Sequence, residues 1–514
     1  MEKETCLCNK SSVFLNQNNQ IELILMENLI TCILPFEKDA DIELTIKSLR
    51  ASGVIGKFIL AGPTESFING QDIAFIVSDS FSSTATLREI ASNLTTSFTL
   101  LYTKTLPFEL GQNGLRRMIQ VCDSSGAGMV YSDYFEQREG EVRPHPVIDI
   151  QDGSLRDDFD FGSLLLYRTE ALIDAVNRMD EEYEFAGLYD LRLKVSQNYR
   201  LVHLPELLYT ELETDMRKSG EKMFDYVDQR NRFKQVEMEK VCTAHLKAVG
   251  AWLAPVFRKI SLLEGDFKSE ASVIIPVRNR AKTISAAIKS VLSQDTDFEY
   301  NLIIVDNYST DGTTELIRSF AASDERIIHV IPERQDLGIG GCWNEAINHP
   351  ECGRFAIQLD SDDLYIDNHV ISRIVAAFYE QNCALVIGSY KMVNFKLEEI
   401  SPGLIDHKEW TPENGRNNAL RINGLGAPRA FFTPVLREIQ VPNVSYGEDY
   451  ALGLAISRHY QIGRIYEPLY LCRRWDENSD SSLDIVKMNT HNFYKDRIRT
   501  LEFWARQQLV RNEQ

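Results

Sequence analysis

Asp360, Asp362 and Asp363 crowd together directly behind an apolar stretch, Ala356-Ile-Gln-Leu359. Carboxylates at this spacing repel one another. A divalent cation relieves the repulsion, and an all-oxygen donor set suits Mg²⁺ or Mn²⁺. A cation held by only one or two protein carboxylates keeps open positions that can take a diphosphate. The ordinary alternative is an acidic, solvated turn capping the next helix, because aspartate is common in turns and at helix N-caps. A second acidic pair, Glu448 and Asp449, follows Gly447. Its ordinary reading is a helix start, where the helix dipole favours acids.

The surrounding pattern decides what positions these residues. Ala271-Ser-Val-Ile-Ile-Pro-Val277 reads as a buried parallel strand, and Thr283–Gln294 follows with helical spacing. Tyr300–Asp306 is a second buried strand ending in an aspartate, with a turn and then a helix over Thr313–Ala322. A strand over Arg326–Ile331, a helix over Gly341–Asn348 and the strand Arg354–Leu359 complete the run. Strands alternating with helices predict βαβ units and a mostly parallel sheet. Ligands in such sheets bind beyond the carboxyl ends of the strands, where both Asp306 and Asp360 fall.

At 514 residues the chain is long enough for two or three domains. A net charge of −20 argues against broad binding to nucleic acid or to anionic membrane surfaces. The nine cysteines are scattered, and only Cys6 and Cys8 lie close, so reduced, mostly buried thiols are expected and a zinc site is not. Met1–Gln20 is polar, and no run approaches the roughly 20 apolar residues that span a bilayer.

The stretch from about Ser269 to Tyr470 resembles a family 2 glycosyltransferase with the GT-A fold. Ser272–Arg278 resembles the first strand, whose end approaches the nucleotide. Val305-Asp-Asn-Tyr-Ser-Thr-Asp-Gly-Thr313 resembles the segment whose leading aspartate contacts base or ribose. Asp336-Leu-Gly-Ile-Gly-Gly-Cys-Trp-Asn344 resembles the glycine-containing turn and helix start that end in an asparagine. Leu359-Asp-Ser-Asp-Asp363 resembles the DxD metal motif, and Gly447-Glu-Asp-Tyr450 the late acidic pair that provides the base.

The resemblance implies an inverting, metal-dependent glycosyltransferase acting on a nucleotide sugar, by default a UDP-sugar. It implies a metal, Mn²⁺ or Mg²⁺, at Asp360 and Asp362. Donor contacts are expected from Pro276, Arg278, Asp306, Gly338, Gly341, Asn344, Asp360 and Ser361. Asp449 is expected as the general base, with Glu448 orienting the acceptor. The acceptor is expected to be a carbohydrate, a lipid carrier or a protein, the chain cytoplasmic or peripheral to the inner face of the membrane, and a homodimer is admitted. One departure stands out in Tyr470-Leu-Cys-Arg-Arg-Trp475: Trp475 occupies the place of a metal-ligating histidine, for which Asp476, Asn478 or His491 are substitutes. Arg473 and Arg474 are candidates for phosphate neutralisation.

The N-terminal half reads as a degenerate copy of the same domain. Leu29-Ile-Thr-Cys-Ile-Leu-Pro-Phe36 parallels Ala271–Val277, with a helix over Asp41–Leu49, and Glu109–Gly114 parallels Asp336–Gly341. Tyr199 and Tyr209 precede Tyr460 and Tyr470 by one offset, 460 − 199 = 470 − 209 = 261. That offset puts Gly187 and Leu188 where Glu448 and Asp449 stand. By pattern the acidic strand maps onto Met129–Tyr134, which sets Tyr131 against Asp360 and Asp133 against Asp362. The copy would then lack the chemistry; a second site using Asp133 and Asp190 is the alternative.

The expected organisation is α/β, with an extension at 1–26, a non-catalytic GT-A-like domain at 27–215, a helical connector at 216–267 and a catalytic domain at 268–514. Ser219–Leu253 carries apolar residues at several three- and four-residue steps, which predicts one or two amphipathic helices. The competing readings are a non-catalytic scaffold of two pseudo-enzyme domains and a sugar nucleotidyltransferase. The latter needs a glycine-rich loop after the first strand, and Pro276–Lys282 has no glycine.

Overall fold

The computed structural model describes residues 29–37, 42–63, 70–212, 229–475 and 483–513. Two compact units emerge, one formed by 1–150 with 158–216 and the other by 151–157 with 217–514. Both are α/β. Among the described residues no helix is long and apolar enough to cross a membrane, and the seven described cysteines are free, six of them buried. Cys6 and Cys8 lie outside the described residues.

The larger unit is built on a nine-stranded sheet. Its main path runs Ile327–Val330, Tyr300–Asp306, Ala271–Val277, Phe355–Gln358, Arg429–Phe432, Leu385–Val393, Ile462–Arg473, Leu364–Tyr365, with Glu399–Ile405 paired to Leu385–Val393. The first four strands are mutually parallel, and Arg429–Phe432 runs antiparallel to both neighbours. Every residue of Tyr300–Asp306 is buried, as a strand covered on both faces requires. The helix Ile284–Leu292 buries Ile284, Ala287, Ile288 and Val291, one stripe at the 3.6-residue period. Within the expected connector, the helix Arg232–Ala248 buries Val241, Cys242, His245 and Leu246. Asn414 ties that helix down by donating to Glu239 and Thr243. Met223 and Val227 lie outside the described residues. A 29-residue helix, Ile485–Glu513, follows the sheet and has no counterpart in the sequence expectations.

The smaller unit has a seven-stranded sheet in the order Leu201–Leu204, Met129–Ser132, Leu164–Arg168, Phe98–Tyr102, Ile30–Pro35, Ile55–Gly62, Ile73–Val77. A second, four-stranded sheet joins Phe108–Leu110, Tyr209–Leu212, Tyr134–Arg138 and Glu141–His145. Read from Ile73–Val77, the seven strands of the first sheet repeat the order and direction of the first seven strands of the main path above, with Leu164–Arg168 as the antiparallel member and no counterpart of Leu364–Tyr365. The helices Gly187–Asn198 and Glu448–His459 also begin at equivalent places.

This order corrects one expectation. Met129–Ser132 stands where Leu385–Val393 stands in the other unit, so it is not the acidic strand. The partner of the first strand is Phe98–Tyr102: Ile30 pairs with Phe98 as Ala271 pairs with Phe355. Counting five residues on from each, Thr103, Lys104 and Thr105 take the places of Asp360, Ser361 and Asp362. The pattern misled because any buried strand followed by an aspartate looks alike in sequence; only the pairing tells them apart. Lys104 is ion-paired with Glu211, which is buried. Asp133 accepts hydrogen bonds from His203 at 2.9 Å and from the Val147 N–H at 2.8 Å, and Asp190 lies 3.7 Å from Lys194 on its own helix.

Gly340 in the larger unit has no room for a side chain. A Cβ there would come within 1.8 Å of the Pro442 carbonyl oxygen. Gly340→Ala is therefore expected to cost about 1–3 kcal/mol of stability, read as a lowered thermal midpoint. The contact matters because the loop at Pro442 leads into the Glu448 helix.

Candidate active site

The carboxyl ends of the central parallel strands converge. Val277 pairs with Asp306, and Ile274 with Gln358, so Asp306 and the acidic turn flank the end of the first strand. Beside them is a cavity of about 320 Å³. Asp360, Ser361, Asp362 and Asp363 form one part of its wall, and Glu448 and Asp449 another. Pro276, Arg280, Trp343 and Arg429 also line it.

The three aspartates of the turn are held differently. Asp363 is buried, accepts the Arg473 N–H at 2.7 Å and donates its own N–H to the Asp360 carbonyl, so it folds the turn. Burial and the charges of Asp360 and Asp362 push its carboxyl well above the usual range. Asp360 accepts a hydrogen bond from Gln358 Nε2 at 2.9 Å, and its backbone N–H donates to Tyr470 Oη at 3.0 Å. Its carboxyl is also raised, by burial first, with Asp362 adding to the effect and Arg429 opposing it. Asp362 accepts from Trp475 Nε1 at 3.3 Å and lies 3.9 Å from Arg280 Nε. Crowding that disfavours ionisation is the electrostatic condition a cation relieves.

The acidic pair opens the helix Glu448–His459 behind Gly447, whose φ of +76° suits glycine. Asp449 lies 2.7 Å from Arg429 Nη1 and accepts the Tyr450 N–H at 2.7 Å. Burial opposes ionisation of Asp449, but Arg429 and Lys495 more than offset it and hold the carboxyl below the usual range. Glu448 is the opposite case: burial, then the charge of Asp449, push it up to about 7. Its Oε2 atom is buried and has no hydrogen-bond partner among the described residues.

Other expected donor contacts lie off the cavity wall. Both Asp306 oxygens face protein donors: Thr314 Oγ1 at 2.5 Å on one and the Ser309 N–H at 3.1 Å on the other, with His329 Nε2 3.5 Å away. Burial disfavours the Asp306 charge, but these donors prevail and leave it well below the usual range. Gly338 donates its N–H to Asn443 Oδ1 at 2.7 Å, and a Cβ on Gly341 would meet that same oxygen at 2.3 Å. Asn344 exchanges two hydrogen bonds with the Val441 backbone. These three residues fasten the helix Ile339–Asn348 to the loop preceding Glu448. Arg278 is exposed in the loop after the first strand.

Of the substitutes for the expected histidine, His491 stacks on Tyr446 at 3.8 Å, and Asp476 and Asn478 lie outside the described residues. Among the described residues, no three His, Cys, Asp or Glu side chains form a ready metal cluster. Sequence reasoning did not single out Arg429. It sits on the antiparallel strand, far in sequence from both acidic motifs, and only the pairing of Phe355–Gln358 with Arg429–Phe432 brings it between them. The signal in the sequence is a lone basic residue entering an apolar run, Arg429-Ala-Phe-Phe432.

This mostly parallel α/β sheet carries its acidic turn at the carboxyl end of a central strand, and comparison with known proteins places the chain. The model of the family described as "Glycosyl transferase family 2" matches residues 272–437. A UDP-Glc:alpha-D-GlcNAc-diphosphoundecaprenol beta-1,3-glucosyltransferase of Escherichia coli is 32% identical over 196 residues, covering 38% of this chain and 72% of the relative. A putative teichuronic acid biosynthesis glycosyltransferase of Bacillus subtilis is 28% identical over 193 residues, covering 37% of this chain and 73% of that protein. Among solved structures, S. aureus TarS 1-349 in complex with UDP is 22% identical with a TM-score of 0.35, over 45% of this chain and 65% of that one, just short of two thirds. The chain belongs to glycosyltransferase family 2.

Proposed function

We propose that the larger unit transfers a sugar, with inversion, from a UDP-sugar to an acceptor hydroxyl in polysaccharide or glycoconjugate synthesis. The observation that carries this reading is the single cavity lined by both the Asp360–Asp363 turn and the Glu448–Asp449 helix start. The acceptor oxygen attacks the anomeric carbon while its proton passes to the Glu448–Asp449 pair, and the bond to the diphosphate breaks with both electrons leaving on the diphosphate oxygen. Direct displacement of this kind inverts the anomeric centre. Arg429, beside Asp360 and Asp449, adds positive charge at the site.

Asp360 and Asp362 are the residues that would hold a divalent metal. Two carboxylates, with no third ligand completing a cluster among the described residues, fit a Mg²⁺-type ion completed by substrate phosphates. When bound, such an ion neutralises charge that develops on the diphosphate. The UDP donor and a lipid-linked acceptor are supported by the E. coli relative, whose name gives UDP-Glc as the donor and a GlcNAc-diphosphoundecaprenol as the acceptor. The smaller unit, with Thr103-Lys104-Thr105 in the acidic position and leucine in the base position, is assigned a non-catalytic role.

The test is nucleotide release from UDP-, GDP- and dTDP-sugars, with Mn²⁺ or with EDTA, alongside calorimetry with UDP. The expected result is UDP release that EDTA abolishes, and one UDP bound per chain. Release indifferent to EDTA would remove the metal from the proposal. Two UDP per chain would overturn the assignment of the smaller unit.

A further inference from the structure

The 29-residue helix Ile485–Glu513 has one face packed and one face bare. Its inner face buries Asp496, Arg499, Thr500, Phe503 and Arg506. The same side backs the turn before the acidic pair. Tyr446 stacks on His491 with ring centroids 3.8 Å apart, and a Cβ on Gly447 would meet Tyr494 at 3.4 Å. The outer face follows the three- and four-residue steps of a single helical side. On it Val486, Phe493, Leu501 and Trp504 are 65%, 44%, 53% and 42% exposed. Lys487, Arg497 and Arg511 are exposed along the same stripe. Among the described residues no acidic side chain is exposed between Val486 and Arg511, in a chain whose net charge is −20.

Large apolar side chains interleaved with cations and free of anions are what seats a helix flat on an anionic bilayer. The rings and aliphatic groups enter between the headgroups, and the basic groups meet the phosphates. We propose that this face of the helix Ile485–Glu513 docks on a membrane containing anionic phospholipid, and so brings the chain to the lipid-linked acceptor of the reading above. The purpose of the docking rests on that reading; the choice of a bilayer rests on charge complementarity. A second copy of the chain is the poorer occupant. Parallel pairing of two such faces sets Arg497 and Arg511 each against itself, and antiparallel pairing about Arg497 sets that guanidinium against its twin.

The acidity of the whole chain makes the docking oriented and does not forbid it. Salt screens exposed charges beyond about 8 Å at physiological ionic strength, so the face nearest the lipid decides the sign of the encounter. One acid stands beside the stripe: Trp504 Nε1 donates to Asp152 at 2.8 Å. Arg497 lies 5.4 Å from the centroid of the same indole and offsets it. An α-helix with its side chains is about 10–12 Å across. A bilayer on the outer face therefore lies about one helix diameter from the turn that presents Glu448 and Asp449, close to where a lipid-linked acceptor has to bring its hydroxyl.

The experiment sediments the full chain with vesicles of phosphatidylcholine alone and with vesicles that also contain phosphatidylglycerol. Binding is expected to the second kind only, and to weaken as salt rises. Lys487→Gln, Arg497→Gln and Arg511→Gln are each expected to weaken it roughly fivefold, and together about a hundredfold. Phe493→Ser combined with Leu501→Ser is expected to weaken it as well. Trp504→Phe is expected to keep most of the binding and to lose the blue shift of tryptophan emission that the vesicles cause in the parent. The triple Gln variant is expected to melt as the parent does and to release UDP from soluble UDP-sugars at the parent's rate. A chain that ignores phosphatidylglycerol, or a triple variant that sediments like the parent, overturns the docking face. A dimer in lipid-free solution that the serine substitutions break also overturns it, because the face then belongs to a second copy. These results leave the transferase reading standing. That reading fails instead if the parent releases no nucleotide from any sugar donor, an assay that needs no vesicles.

Discussion

Asp362→Ala should bind UDP no better with Mn²⁺ than without it, and its turnover should fall about 10³-fold, close to 4 kcal/mol of transition-state stabilisation. The three aspartates of the turn can be told apart by what holds them. Asp363 accepts the Arg473 N–H and closes the turn on Asp360, so its loss should lower stability before anything else. Asp360 is anchored by Gln358 and lies beside Arg429. Asp362 accepts a 3.3 Å hydrogen bond from Trp475 and lies 3.9 Å from Arg280, both side-chain contacts at the cavity that Asp362 and Arg280 line. Removing its carboxylate would take away one of the two proposed cation ligands while leaving in place the Asp363 hydrogen bonds that close the turn. Calorimetry of UDP with Mn²⁺ and with EDTA, beside a melting curve, separates the two effects. An Asp362→Ala chain that kept a Mn²⁺-dependent gain in UDP affinity would show that the ion is held elsewhere.

The parallel half of the larger sheet was legible because its strands are short, apolar and fully buried, and each helix between them shows one apolar stripe. The cavity was legible where its residues cluster in sequence, as Asp360 to Asp363 and Glu448 with Asp449 do. It was illegible where the wall is assembled by pairing. Arg429 reaches the acids only because its strand lies antiparallel beside Phe355–Gln358. Gly338, Gly341 and Asn344 illustrate the converse. A glycine-rich turn suggests close approach to a ligand, but here the space beside the glycines is taken by residues 441–445. Local sequence shows that a backbone must pass near something; it does not show whether that neighbour is a nucleotide or another loop. The same limit explains the misplaced strand in the smaller unit, where the register of Phe98 against Ile30 carries the information.

Asp496→Ala is expected to destabilise the larger unit by about 3–5 kcal/mol and to lower its thermal midpoint by roughly 10 °C. Asp496 is fully buried between two buried guanidinium groups, with Arg499 Nη1 at 2.9 Å and Arg156 Nε at 3.3 Å. Without the carboxylate, two cations stay out of water and facing each other. Arg499 also donates to Tyr450 Oη at 2.9 Å, and that hydroxyl donates to the Ala419 carbonyl at 2.5 Å. Tyr450 directly follows Asp449, so this buried network fixes the first turn of the helix that presents the acidic pair. The variant should lose turnover well below its melting temperature, because the displaced turn carries the acidic pair proposed to take the acceptor proton and, through Asp449, the contact to Arg429. A melting point within a few degrees of the parent would mean that other acceptors suffice for the two arginines, among them the Ile422 carbonyl and Asn423 Oδ1 that Arg499 already reaches.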